Sequence, residues 1–190
     1  LISGFASVID NTELDPALVA KMLSLPSAQE LAEQEGEIDA AAIIAARKFT
    51  RDTLANALQA KFLARFRQLD LHKPYAPVAE DIAERSLKNT CLAYLCATAT
   101  EEALALARAQ FERTENMTDS AAALAALVEY AAPEVAEASL QSFYSLWQQD
   151  TQVVETWFGL QTSSATYGTL EQVKALMRHP AFEITNPNKV

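Results

Sequence analysis

The sequence contains few of the residues that enzymes most often use for chemistry. Its 190 residues include only four glycines, two histidines and two cysteines. Four scattered glycines cannot form a phosphate-binding loop, and no Gly-x-Ser-x-Gly turn presents a serine nucleophile. The two histidines, His72 and His179, lie far apart and each adjoins a proline-containing segment, so we expect exposed loop side chains rather than metal ligands. The residue inventory therefore predicts a non-catalytic scaffold.

Basic charge is also scarce. The chain carries 15 lysines and arginines against 25 aspartates and glutamates, for a net charge of -10 at pH 7. Such a chain repels phosphate backbones, so we do not expect nucleic acid as a partner. The basic residues that do cluster, Lys61, Arg65 and Arg67, share a segment with Phe62 and Phe66. This pattern predicts the solvated face of a partly buried helix more than a binding patch.

Long apolar runs and paired cysteines are missing as well. No apolar run approaches the roughly 18 residues of a membrane span, and the first residues lack the charged start of a signal peptide. Cys91 and Cys96 would point about 140° apart on a helix, so we expect two separate buried thiols. Unpaired thiols favour a reducing compartment. The expectation is a cytoplasmic protein with no membrane partner.

Helix-start residues are frequent in the first half of the chain. Asp15-Pro16 is typical of a helix start, and Ser27 with Glu30 forms a capping-box pattern. Asp39 precedes an alanine-rich helix that we expect to extend to about Leu69. Apolar residues recur along that helix at helical spacing: Ile43, Ile44, Phe49, Leu54, Leu58, Phe62, Leu63 and Phe66.

Prolines and further helix-start residues divide the second half. Pro74 and Pro77 interrupt the helical pattern, and a new helix is predicted from about Val78 to Ala97. Its predicted inward-facing residues are Ile82, Leu87, Leu92 and Leu95. Later helix starts are predicted at Thr98, Thr118, Pro133, Asp150 or Thr151, and Thr169. Thr118 also completes a glycosylation sequon, which we interpret as a helix start.

The overall pattern is all-α. Alternating strand patterns and Asn-Gly or Asp-Gly turns are missing, while helix-turn-helix pairs recur about every 32 to 36 residues, as in stacked helical repeats. The predicted architecture is an irregular right-handed superhelical stack of antiparallel helix pairs, an α-solenoid of the HEAT or armadillo kind. We expect residues 1–190 to form a single helical domain.

Aromatic residues concentrate late in the chain. Their helical spacing predicts core packing rather than a ligand site. The residues concerned are Phe143, Tyr144, Leu146, Trp147, Trp157 and Phe158.

Several short motifs, in this order and spacing, resemble the C-terminal helical domain of bacterial aminopeptidase N, a zinc-dependent alanyl aminopeptidase. Each motif alone is weak, but they are colinear over nearly the whole chain. They are Asp15-Pro16-Ala17-Leu18, Leu25-Pro26-Ser27, residues 83–89, Asn116-Met117-Thr118-Asp119, Trp157-Phe158 and Asn186-Pro187-Asn188.

The resemblance implies that residues 1–190 are a truncated fragment of a larger C-terminal domain. It also implies a larger parent hydrolase in which this domain covers the catalytic cleft and restricts access to small peptides. The parent would bind zinc in a separate catalytic domain, through a His-Glu-x-x-His motif that this chain lacks. The chain alone is therefore predicted to be inactive and to hold no cofactor. Its expected partners are the catalytic domain of the same polypeptide and, in the parent, the peptide substrate.

The resemblance also suggests one substrate-channel residue, Lys189. Relatives commonly have arginine after Asn-Pro-Asn, and a cation there could attract the carboxylate end of a peptide. Lysine lacks the planar fork of arginine, which weakens the case for bidentate binding. A solvated turn residue is an equally good interpretation of Lys189. For the chain as a whole, the alternative function is a free-standing helical-repeat module for protein–protein interaction.

Overall fold

The structure, a computed structural model, describes residues 1–71, 74–113 and 116–185. Ten helices and no strand occur within these ranges, which confirms the all-α prediction. The helices are α1 (Ile2–Asp10), α2 (Pro16–Met22), α3 (Ala28–Ala32), α4 (Ala40–Leu69), α5 (Ala79–Cys96), α6 (Glu101–Arg113), α7 (Met117–Tyr130), α8 (Pro133–Trp147), α9 (Thr151–Ser163) and α10 (Leu170–Leu176). None of the helices in the described ranges is both long and apolar enough to cross a membrane.

Most predicted helix starts are confirmed. At the start of α4, Asp39 accepts a hydrogen bond from the Ala42 amide at 3.0 Å. At α3, Ser27 and Glu30 form the expected reciprocal capping box. These short polar side chains satisfy amides that a first helical turn leaves without a partner. Their positions in the sequence therefore locate the helix boundaries.

Two predicted caps are wrong. α6 begins at Glu101, so Thr98 precedes the true cap by two positions; the Thr98 hydroxyl instead donates to the Leu95 carbonyl at 2.7 Å. α7 begins at Met117 and is capped by Asn116, whose side chain accepts from the Asp119 amide at 2.8 Å. In both places a second polar residue lies close by, and local preference alone does not choose between the two.

Helix α1 was not predicted from the sequence. Its cap position is Leu1, which makes no side-chain hydrogen bond, so the usual polar start signal is missing. Burial of Phe5 and Ile9 holds the helix to the rest of the chain, and Asp10 pairs with Lys61 at 2.5 Å. α1 therefore depends on tertiary contacts, which a local pattern does not reveal.

The contacts divide the chain into two compact units, Leu1–Thr98 and Ala99–Val190. The expectation of one domain stays a prediction. In the first unit, α1, α3 and α5 pack against α4, and α2 packs against α5. The ring of Tyr94 stacks on Phe62 with centroids 4.5 Å apart, and its hydroxyl donates to the Leu23 carbonyl at 2.7 Å. This buried contact ties α5 to α4 and to the end of α2.

Burial along α4 is uneven. Leu54, Leu58, Phe62 and Phe66 are buried, whereas Phe49 is 73% exposed. Apolar residues recur every four positions from Leu54 to Phe66, whereas Phe49 lies five positions before Leu54 and so points to a different face. On α5, Leu87, Leu92 and Leu95 face inward as predicted. The prediction is wrong for Ile82, which is 51% exposed in the first turn, since the buried residues of α5 begin only at Ala83.

The basic cluster is not a solvated face throughout. Arg65 is buried and donates to the Gln68 side chain at 3.2 Å, and Lys61 pairs with Asp10. The expectation was wrong for Arg65 because the stem of an arginine buries readily beside apolar side chains such as Phe62.

In the second unit, α7 packs against α6, α8 and α9, and α10 packs against α9. The core prediction holds for Phe143, Trp157 and Phe158, which are buried. It is wrong for Leu146, which is 72% exposed, because successive residues of α8 point to different faces and only one face meets the core.

Both tryptophans, Trp147 and Trp157, lie in the second unit, so tryptophan fluorescence reports on the folding of this unit alone.

We expect the two cysteines to be unreactive while the first unit is folded. Both are fully buried, and desolvation raises the pKa of each thiol to about 12. The thiolate is the reactive form, so little of it exists near pH 8. A colorimetric thiol assay should show slow labelling in native buffer and rapid labelling of both thiols in concentrated urea. Rapid native labelling would contradict the described packing of α5.

We expect Gly168→Ala to destabilise the second unit by about 1–3 kcal/mol, the usual cost of overpacking. A Cβ at Gly168 would lie 2.5 Å from the Ser164 carbonyl oxygen and 2.7 Å from that of Thr162. The matched control is Gly159→Ala, where nothing lies within 4 Å of an added Cβ. Inside helix α9 that control should stabilise by about 1 kcal/mol. Urea unfolding followed by tryptophan fluorescence measures both, and equal effects would contradict the prediction.

Candidate functional site

The one residue that the sequence suggested for substrate contact, Lys189, lies outside the described residues, as does His72. The segment leading to Lys189 is described as far as Thr185. The candidate site is therefore built from the side chains that hold this segment. We call them the His179 cluster: His179, Tyr144, Trp157, Phe158 and Phe182.

Three aromatic rings surround the His179 imidazole. Ring centroids lie 4.9 Å from Tyr144, 5.1 Å from Trp157 and 5.6 Å from Phe158. The Tyr144 and Phe158 contacts are close to perpendicular, at 85° and 82°. Phe182 extends the cluster with an edge contact to Phe158 at 6.1 Å. Edge-to-face packing of this kind stabilises beyond simple area burial.

Three elements position these rings. Tyr144 lies on α8, Trp157 and Phe158 on α9, and His179 on the turn that follows α10. The Trp157 indole nitrogen donates to the Leu140 carbonyl of α8 at 3.0 Å, which fixes α9 against α8. The cluster therefore forms only when all three elements are in place.

Backbone hydrogen bonds wind the chain tightly around His179. Its amide donates to the Leu176 carbonyl at 3.0 Å, and its carbonyl accepts from the Phe182 amide at 2.9 Å. Its Nδ1 accepts from the Ala181 amide at 3.2 Å. Both the backbone and the imidazole of His179 therefore hydrogen-bond to the segment that follows α10.

The expectation that His179 is an exposed loop side chain was wrong. The ring is half-buried, and desolvation lowers its pKa below the usual value of 6.5. An Nδ1 that accepts a hydrogen bond carries no proton, so the geometry also suits the neutral ring. The sequence signal that could have predicted a half-buried His179 was the run of aromatic residues on α8 and α9, because these rings need other side chains to pack against. In this arrangement His179 serves packing and segment positioning.

Across residues 1–71, 74–113 and 116–185, no three histidine, cysteine, aspartate or glutamate side chains come together as a metal-binding group. Cys91 and Cys96 are both buried thiols, as expected. Lys189 stays a prediction.

Comparison with known proteins assigns the chain to a family. Residues 1–190 match the family described as a domain of unknown function (DUF3458_C) with ARM repeats. The chain belongs to this family. Its description agrees with the predicted HEAT or armadillo-like class of fold.

The relatives are aminopeptidases. The chain is 38% identical to aminopeptidase N of Escherichia coli over 98% of its own length and 21% of the relative's. It is 33% identical to aminopeptidase N of Haemophilus influenzae, over 100% of the chain and 21% of the relative. The crystal structure of Legionella pneumophila aminopeptidase A in complex with aspartic acid shows 28% identity and a TM-score of 0.85, covering 100% of this chain and 23% of that one.

These similarities confirm the resemblance to the helical domain of aminopeptidase N. The chain spans about a fifth of the length of the curated relatives it matches. It is thus similar to one domain of a larger enzyme.

We expect acidification to destabilise the second unit through His179. Its folded-state pKa is lowered by desolvation, so below pH 6.5 the unfolded chain binds the proton more readily than the folded one. The stabilisation is present above the unfolded pKa and declines as the pH falls through 6.5 toward the folded pKa.

Proton NMR of the two histidine C2 resonances as a function of pH measures the pKa of His179 in the folded chain. The variant His179→Asn identifies which of the two signals belongs to His179. Asparagine keeps an acceptor for the Ala181 amide but does not titrate. A midpoint for His179 at or above 6.5 would contradict the prediction.

Proposed function

We propose that the chain is the non-catalytic C-terminal helical domain of a zinc metalloaminopeptidase, which removes N-terminal residues from peptides. In this proposal the domain closes over the catalytic cleft and restricts substrate access. The observation that carries it is the alignment of 98–100% of the chain with a fifth of aminopeptidase N from two organisms.

The chemistry would belong to other parts of the polypeptide. Zinc peptidases of this kind need two histidines on one helix face and a carboxylate that activates water. The sequence has no His-Glu-x-x-His. A catalytic domain of the same polypeptide would therefore hold the metal and be the partner of this chain.

What this chain would contribute is a fixed wall. The His179 cluster holds the segment after α10, as far as Phe182, against α8 and α9 through ring contacts and the Ala181 hydrogen bond. Lys189 follows four residues after Thr185 in the sequence. Its ammonium would attract the carboxylate end of a short peptide as a point charge.

The test uses the full-length polypeptide that contains this sequence. Lys189→Ala should raise KM for alanyl peptides with a free carboxylate by up to about fivefold, since an exposed ion pair contributes up to about 1 kcal/mol. Amidated versions of the same peptides should show little change. Lys189→Arg, which keeps the charge, serves as the matched control.

Equal KM changes for free and amidated peptides would contradict the role of Lys189. A full-length polypeptide without zinc-dependent aminopeptidase activity would contradict the proposed function itself. A reading frame that encodes no His-Glu-x-x-His would favour the alternative, a free-standing interaction module.

A further inference from the structure

A short connection, residues 164–169, joins α9 to α10 and is fastened to α7 by a carboxylate. Glu129, in the last turn of α7, accepts hydrogen bonds from the Ser164 hydroxyl at 2.6 Å and from the Ala165 amide at 2.9 Å. The Ser164 oxygen in turn accepts from the Tyr167 amide at 2.9 Å. Ser164 therefore joins the Glu129 carboxylate to the backbone that follows it.

A second carboxylate fastens the same connection to α8. The Tyr167 hydroxyl donates to Glu137 of α8, and the Tyr167 ring packs against the hydrophobic core of the second unit. Burial, together with the adjacent Glu137 carboxylate, raises the pKa of Tyr167 to about 12, so the phenol keeps its proton and remains a donor. Carboxylates on two different helices therefore hold residues 164–169.

Helix α10 needs outside support because it is short and packs on little else. It has seven residues, and isolated helices of fewer than about 12 residues are marginal in water. Among the helices of the described ranges, α10 packs against α9 alone, and the residue it buries is Leu176. Its position therefore depends on what holds its two ends.

The two ends of α10 are held by different groups. At the start, Thr169 ends the connection and caps the helix by accepting from the Gln172 amide at 3.2 Å. After the end, the His179 cluster holds the chain as far as Phe182. A shift of the connection would therefore carry the start of α10 with it and change how His179 meets the rings of α8 and α9.

Four side chains fasten the connection, and we call them the carboxylate latch: Glu129, Glu137, Ser164 and Tyr167. We propose that the carboxylate latch positions Lys189 for substrate recognition, by fixing α10 and the chain that follows it; this inference rests on the proposed function. Glu137 is exposed and Ser164 only half-buried, so their hydrogen bonds add little core packing. Their effect is on where the connection lies. The four residues are positioning residues that act through Lys189.

The first measurement is hydrogen exchange of residues 170–182 in the full-length polypeptide that contains this sequence. Tyr167→Phe removes the hydroxyl and keeps the ring. It should speed exchange of these amides about fivefold, the factor by which one net hydrogen bond shifts a local opening equilibrium. Tyr75→Phe, the same change at an exposed ring of the first unit, is the matched control and should leave this exchange unchanged.

The second measurement is the steady-state kinetics of the full-length variants with free and amidated alanyl peptides. Tyr167→Phe and Ser164→Ala should each raise KM for the free peptides about twofold to fivefold, within the range that an exposed ion pair allows, without lowering kcat. Amidated peptides should show little change. In a Lys189→Ala background neither variant should raise KM further, because residues that act through one group are not additive. A purely structural loss would reduce the active fraction, and so the apparent kcat, for both peptides equally.

Unchanged exchange of residues 170–182 in Tyr167→Phe would overturn the carboxylate latch. Faster exchange without a KM change specific to the free peptides would overturn its link to Lys189. A full-length polypeptide without aminopeptidase activity refutes the proposed function and with it the role in recognition, while the exchange result still decides whether the latch fixes α10.

Discussion

The packing of Trp157 between α8 and α9 is the contact on which the candidate site depends. Its indole nitrogen donates to the Leu140 carbonyl, and its ring touches Tyr144, Phe158 and His179. Donation to a carbonyl of the neighbouring helix fixes the ring in one orientation, which in turn fixes the face that the imidazole meets. Loss of this contact would remove one of the three rings that surround His179 and the hydrogen bond that joins α9 to α8.

The two units stabilise their helices in different ways. The second unit gathers its large aromatic residues around one cluster, while the first uses the Phe62–Tyr94 stack and leaves half of its longest helix open.

The sequence predicts much of this fold because helix starts depend on local chemistry. Asp39, Ser27 and Asp150 satisfy amides only a few residues away, so the starts of α4, α3 and α9 could be located. The Ser27 amide in turn donates to the Glu30 carboxylate, a reciprocal bond that the spacing of the two residues predicts. Where two polar residues compete, as at Thr98 and Thr100, the choice depends on how the preceding helix ends.

Burial was harder to predict than helicity. Leu54 is buried and Phe49 is not, because tertiary packing decides which turn of α4 is covered. The environment of His179 was missed for a related reason. Its partners Tyr144 and Trp157 lie more than twenty residues earlier in the chain, and the turn that brings them together is set by α10.

The most direct measurement is an experimental structure of the full-length polypeptide with zinc bound. The account predicts that residues 1–190 form a wall beside the catalytic cleft and that every zinc ligand comes from outside this range. A zinc ligand supplied by these residues, or a helical domain that stands clear of the cleft, would contradict it.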